Sequence, residues 1–305
     1  MIMKLAKRFC HVAVSVSVFA GVLGAGCGGA RAMVVTPTTD PTALLDALVA
    51  NPSAFSSISA SYDYGDPQQI GTYTGFNLPP VTMPNGVVMS TGLAAQTTAA
   101  YHSTGFSPST ELPVTATSGG STPEIDAYAA GHVANWSSSH DAAKLTLHFT
   151  LAAPTAVSFA FSFGSVEYPA FTSTYTDAFY AFLDGTQISF DSQGNPVQVG
   201  NSFASTLTTE DQNTAFSDPH GLIGVLTTES GTLSAGAHVI SFEVADTNDQ
   251  DLDSAVFLTD FGTTTNAGGP TTNPSGLPEP GSMAIIGVAV GGLGWVRRRR
   301  GGLRG

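Results

Sequence analysis

The chain has 305 residues, with 23 acidic against 10 basic side chains and a formal net charge of −13. From Met33 to Val296 only Lys144 is basic, and all 23 acids fall in that stretch, so the body carries about −22 and is unsuited to binding nucleic acid, which needs Lys and Arg against phosphate. Both cysteines, Cys10 and Cys27, precede the body, which excludes a disulfide framework, a thiolate metal site or a cysteine nucleophile there.

Lys4, Lys7 and Arg8, the apolar run Phe9–Leu23 and the small-x-small site Ala30-Arg31-Ala32 predict a signal peptide over 1–32, with the mature chain starting at Met33. Asp40-Pro41 then opens a short helix: Asp40 can cap it and Pro41 suits its first turn. Leu44, Leu45, Leu48 and Val49 recur at helical spacing, and Asn51-Pro52 stops the helix. Thereafter the hydrophobic period changes from 3.6 to 2. Leu145, Leu147 and Phe149 alternate with Lys144, Thr146 and His148. Val157, Phe159, Phe161 and Phe163 form a second such set, and Ile240, Phe242 and Val244, alternating with Ser241, Glu243 and Ala245, a third. Each predicts a half-buried strand with its apolar residues inward. Asp184-Gly185 and Ser192-Gln193-Gly194-Asn195-Pro196 are turn signals. The fold class expected is all-β, a β-sandwich or jelly roll over 33–261 with one short N-terminal helix. Residues 262–276, rich in Thr, Asn, Gly and Pro, read as a flexible stalk.

The end of the chain, 277–305, has three parts in order. Pro278-Glu279-Pro280 comes first, then the apolar run 281–296, then Arg297, Arg298, Arg299 and Arg300. As a helix the run spans roughly 24 Å at 1.5 Å per residue, near the lower limit for crossing a hydrocarbon core of about 30 Å. The four arginines fix its end in the cytoplasm. This order resembles the PEP-CTERM sorting tail of Gram-negative bacteria. The resemblance implies that Pro278, Glu279 and Pro280 are recognised by an exosortase, that the transmembrane helix and arginines hold the chain in the inner membrane as an intermediate, and that the protein passes on to the cell surface or extracellular matrix, often alongside exopolysaccharide.

The body carries a second resemblance. Thr42-Ala43-Leu44-Leu45-Asp46-Ala47-Leu48 and Gly86-Val87-Val88-Met89-Ser90-Thr91-Gly92 are similar to the opening of the choice-of-anchor L domain. Asp141-Ala142-Ala143-Lys144-Leu145, Phe163-Gly164-Ser165-Val166-Glu167-Tyr168-Pro169 and Thr176-Asp177-Ala178-Phe179 resemble its central block. Ala245-Asp246-Thr247-Asn248-Asp249 and Asp253-Ser254-Ala255-Val256-Phe257-Leu258 resemble its closing strands. Two positions depart from the family pattern: Val166 stands where a second acid is usual, and Thr176 where an asparagine is. The resemblance implies a surface domain and no particular activity.

The densest acidic stretch holds Asp246, Asp249, Asp251 and Asp253, ending at a strand. Hard oxygen ligands gathered on a loop suit Ca²⁺. Asp249-x-Asp251-x-Asp253 starts like an EF-hand loop, but Ser254 stands where such a loop needs glycine and strand follows directly. The expectation is one structural Ca²⁺ on Asp246, Asp249 and Asp253, with Glu167 and Asp177 brought in from the central block; the alternative is a solvated acidic turn. The body's six histidines, His102, His132, His140, His148, His220 and His238, show no His-x-x-x-His spacing. His140-Asp141 lacks a nucleophile elbow to serve. Among the aromatics, Trp136 in a polar stretch is the candidate for an exposed sugar-stacking ring. The reading is a structural or adhesive, non-catalytic surface protein. A calcium-dependent exopolysaccharide-binding module is the alternative, and a glycoside hydrolase comes third.

Overall fold

The computed structural model describes residues 32–264 apart from 79–80, 102–119, 174 and most of 201–219. The leader up to residue 31, His102, the stretch 265–276, the Pro-Glu-Pro motif, the apolar run and the arginines lie outside the described residues. Among the described residues no helix is long and apolar enough to cross a membrane.

The chain opens with β1 (Val34–Pro37) and α1 (Pro41–Leu48). Asp40 Oδ1 accepts from the Thr42 amide at 2.9 Å and Pro41 occupies the first turn, as expected; Leu44 and Leu48 are the buried face. Strands β2 (Ser57–Tyr64), β3 (Ile70–Leu78) and β4 (Val81–Ser90) follow. A second helix, α2 (Pro123–His132), precedes β5 (Ser139–Leu151) and β6 (Ala156–Ser165). Then come β7 (Ala178–Leu183), β8 (Thr186–Gln187), β9 (Val197–Gln198), β10 (Gly221–Leu222), β11 (Leu226–Glu229), β12 (Gly236–Thr247) and β13 (Ser254–Thr264). Asp184 and Gly185, both with positive φ, make the two-residue turn between β7 and β8. The last strand runs through Thr264, three residues into the stretch read as stalk.

These strands form two antiparallel sheets. One has the order β1-β3-β4-β13-β6-β10, with β11 also on β6. The other has the order β2-β5-β12-β7-β8, with β9 also on β7. The alternation works as expected: Leu145, Leu147, Phe149, Ile240, Phe242 and Val244 meet Val157, Phe159, Phe161 and Phe163 in one core between the sheets. Phe159 packs edge-on against Phe242 at 4.9 Å, and Phe161 tilts against Phe179 at 5.0 Å. Each such ring contributes about 1.5–3 kcal/mol by burial.

The expectation of a single helix is corrected. Helix α2 lies on the outer face of the second sheet, where Ile125, Ala129 and Val133 cover Ala142, Ala178, Tyr180, Phe182 and Ala245. Thr122 caps it, accepting from the Ile125 amide at 3.3 Å, and Pro123 opens it. Residues that alternate outward therefore meet a helix, and Glu243, expected in solvent, is fully buried. Its Oε2 accepts from Thr122 Oγ1, and its Oε1 accepts from Ser241 Oγ at 2.9 Å and lies 3.3 Å from Lys144 Nζ.

Candidate metal centre

Two connections pass between the sheets at the same end of the domain. One leaves β6 and enters β7; the other leaves β12 and enters β13. Since β13 pairs with β6 (Ser254 opposite Ser165) and β12 with β7 (Ala245 opposite Ala178), the four strand ends adjoin. An acid stands at each: Glu167 just past β6, Asp177 just before β7, Asp246 at the end of β12, Asp253 just before β13. Asp249 lies in the connection between the last two. Acids up to 86 positions apart in the chain are thus gathered by topology alone.

Glu167, Asp177, Asp246 and Asp253 are fully buried, Asp249 is half-buried and Asp251 is exposed. One carboxylate oxygen from each of Glu167, Asp177 and Asp249 lies within 4.8 Å of the other two. Asp177 is held from behind: its Oδ1 accepts from the Thr247 amide at 3.2 Å and its Oδ2 from Ser254 Oγ at 2.6 Å. By contrast, neither oxygen of Glu167, neither oxygen of Asp246 and not Asp249 Oδ1 receives a hydrogen bond of normal geometry. The Asp253 carboxylate packs directly on the Gly92 Cα, so that a Cβ there would fall inside it. This close approach accounts for the glycine that ends the Gly86–Gly92 stretch.

The electrostatics follow from the burial. Desolvation, then the charges of Asp177 and Asp249, holds the Glu167 carboxyl well above the usual range. Burial likewise raises Asp177, against donation from Ser254, and raises Asp246, with Asp177 and Asp253 adding to it. Burial, then the charge of Asp251, pushes Asp249 up to about 7. Among the described residues no Lys or Arg relieves the cluster. Lys144, the one Lys or Arg among the described residues, sits 2.8 Å from Glu124 and 3.3 Å from Glu243. His140, opposite Asp246 across the strands, has its ring nitrogens on Ser138 Oγ at 2.7 Å and the Gln250 amide at 3.2 Å. An all-carboxylate set suits a hard cation such as Ca²⁺ and not a metal that prefers nitrogen or sulfur.

The structure thus brings together Glu167, Asp177 and Asp249, with Asp246 close enough to interact electrostatically with Glu167 and Asp177, and Asp253 with Asp246. Trp136 lies elsewhere: half-buried, it packs against the small core under α2, and its Nε1 donates to Ser139 Oγ at 3.1 Å. Tyr73 and Tyr180 are core residues, and Tyr64 is the one exposed aromatic among the described residues. The Glu243–Lys144–Thr122 group was not anticipated. Its signal was Thr122-Pro123-Glu124, the same cap-and-proline opening as Asp40-Pro41.

The molecule is therefore an antiparallel two-sheet domain closed at one end by buried acids. By sequence it belongs to the choice-of-anchor L domain family, whose model matches residues 34–262. That membership points to a surface-anchored protein. No curated protein matches the chain.

Proposed function

We propose that the chain is an exported protein of the cell surface or extracellular matrix of a Gram-negative bacterium. In this reading an exosortase processes it at Pro278, Glu279 and Pro280 after an inner-membrane intermediate, and its domain has a structural or adhesive, non-catalytic role. The observation that carries the reading is the family match over 34–262, followed in the same chain by Pro-Glu-Pro, an apolar run and Arg297–Arg300. Two facing antiparallel sheets support a sandwich of jelly-roll type. Glu167, Asp177, Asp246 and Asp253, buried inside the fold, suit a structural role better than the paired, substrate-facing acids of a glycosidase. The test replaces Pro278, Glu279 and Pro280 with alanine in the full chain and follows its location and size. The uncleaved chain should stay in the inner membrane; a shortened product reaching the surface as in the wild type overturns the assignment.

One observation favours carbohydrate binding as a second reading. A cleft of about 990 Å³ runs between the β7–β8 hairpin and β11, lined by Asp184, Gln187, Phe190, Asp191, Thr227 and Ser230. Its size and mixture of hydroxyl, amide, carboxylate and ring are those of a small-ligand site. Co-sedimentation of the chain with the host's exopolysaccharide, lost on Asp191→Ala, would move this reading to first place. No co-sedimentation leaves the structural one.

A further inference from the structure

We propose that the adjoining strand ends hold a Ca²⁺ ion, ligated directly by Glu167, Asp177 and Asp249 with Asp246 behind them, and that this ion clamps the two sheets together. What carries it is that Glu167, fully buried, aims a carboxylate oxygen into the space shared with Asp177 and Asp249, and that neither its two oxygens nor the two of buried Asp246 receive a hydrogen bond of normal geometry. Buried polar atoms in folded proteins are almost always hydrogen-bonded, and buried charges are paired or coordinate metals. Here donors reach Asp177, and among the described residues the one Lys or Arg, Lys144, is engaged by Glu124 and Glu243.

The ligands also divide between the sheets. Glu167 follows β6 of the first; Asp177 leads into β7 and Asp246 lies in β12, both of the second; Asp249 lies on the connection crossing between them. Asp249 is the outermost and half-buried, which makes it the side from which an ion enters. That connection is otherwise fastened by Asn248, whose Oδ1 accepts from the Ser137 amide at 2.8 Å and whose own amide donates to the Ser138 carbonyl at 2.9 Å. Ca²⁺ takes six to eight oxygens in a flexible geometry, which three or four carboxylates and water can supply; Mg²⁺ demands a tighter octahedron and dehydrates reluctantly. Ion binding at this site is independent of how the protein is sorted.

The test is thermal unfolding of the purified full-length chain, stripped with EDTA and then titrated with CaCl2 or MgCl2. An ion that binds only the folded state, present at a thousandfold excess over its Kd, should raise the Tm by about 8–16 °C. Glu167→Gln should abolish that rise, and Glu243→Gln, a buried acid outside the site, should keep it. Should Glu167→Gln not fold, Asp249→Asn is the second variant; half-buried, it should fold and bind Ca²⁺ at least tenfold more weakly. No rise in the wild type overturns the proposal. So does a rise undiminished in the folded site variants, which would put the ion on another acidic surface, or an equal rise with Mg²⁺, which would remove the assignment to Ca²⁺.

Discussion

Glu243 and Glu167 are both fully buried glutamates of one domain, and their surroundings are opposite. Glu243 has Thr122 and Ser241 donating to it and Lys144 beside it. Burial still raises its carboxyl, but those three partners pull against the rise. Glu167 has no donor of normal geometry, and its strongest neighbours, Asp177 and Asp249, repel it. Removing a charge from water costs several kcal/mol, and only well-placed partners offset that. At Glu243 the chain supplies its own partners. At Glu167 the chain offers no cation and only a weak contribution from the Asp177 backbone amide against two neighbouring acids, so a partner from outside is called for. The contrast separates a buried acid that completes the fold from one that waits for an ion.

The largest expected effect tests that contrast. Saturating Ca²⁺ should stabilise the wild type by about 4 kcal/mol at a thousandfold excess over Kd. Glu167→Gln should lose this gain while its EDTA-treated form is no less stable than the wild type under EDTA, because one repelling charge is gone. Chemical denaturation with and without EDTA reads both quantities. An ion-free variant that is several kcal/mol weaker would show that Glu167 has an internal partner after all.

Solution pH sharpens the same difference. Carboxyls raised above their unfolded values stabilise the ion-free fold fully below the ordinary carboxylate range near pH 4, and that contribution is lost as pH rises through their folded values. For Asp249 the folded value is about 7; Glu167, Asp177 and Asp246 shift in the same direction. The EDTA-treated protein should therefore melt lower at pH 8 than at pH 5, and the calcium-induced rise should be larger at pH 8. A rise that is the same at both would count against carboxylate ligands, since protons compete with metal for them.

Smaller changes belong to the self-sufficient side. Lys144→Met should cost about 2 kcal/mol, the scale of hydrogen bonds to charged groups, and leave the calcium response intact in the same titration. Gly92→Ala should cost a similar amount, about 1–3 kcal/mol for overpacking, because the new methyl displaces Asp253; unlike Lys144→Met it should also weaken calcium binding. His238 gives the least. Its ring bonds Asp184 Oδ2 at 2.7 Å and the Ser234 carbonyl at 2.9 Å, two acceptors that only the protonated imidazolium can satisfy together. The hydrogen bond to Asp184 raises its pKa, so its contribution is complete below about pH 6.5 and is lost as pH rises through the folded value. Asp184 is 46% exposed, so His238→Gln should cost no more than about 1 kcal/mol. Melting curves at pH 5.5 and 8.5 should show that deficit only at the lower pH.

The sequence displayed the two-sheet core more fully than the site. Period-two runs such as Leu145–Phe149 and Ile240–Val244 report which face points inward, because the pleat allows only two directions. They do not report what covers the other face, and Glu243 was placed in solvent for that reason. Its cover, α2, opens with Thr122-Pro123 but carries Gly131 near its end and a weak apolar stripe. In the site, Asp246, Asp249 and Asp253 were visible as a local run. Glu167 and Asp177 joined them only through their place in the family's central block, since no periodicity states which strand ends adjoin. The strand order moves the centre of the cluster: Glu167 and Asp177 are inner members, and Asp249 is the one member of the local run that shares a common space with them. The packing of Asp253 on Gly92 was not legible at all, because it depends on the backbones of β4 and β13 lying side by side.

The most direct measurement is the calcium content of the full-length chain by atomic emission, after gel filtration in buffer at pH 8 containing Ca²⁺, for the wild type, Glu167→Gln and Glu243→Gln. The account predicts bound calcium in the wild type and in Glu243→Gln and a loss to background in Glu167→Gln. Calcium at background in the wild type, or equal in all three proteins, would contradict it.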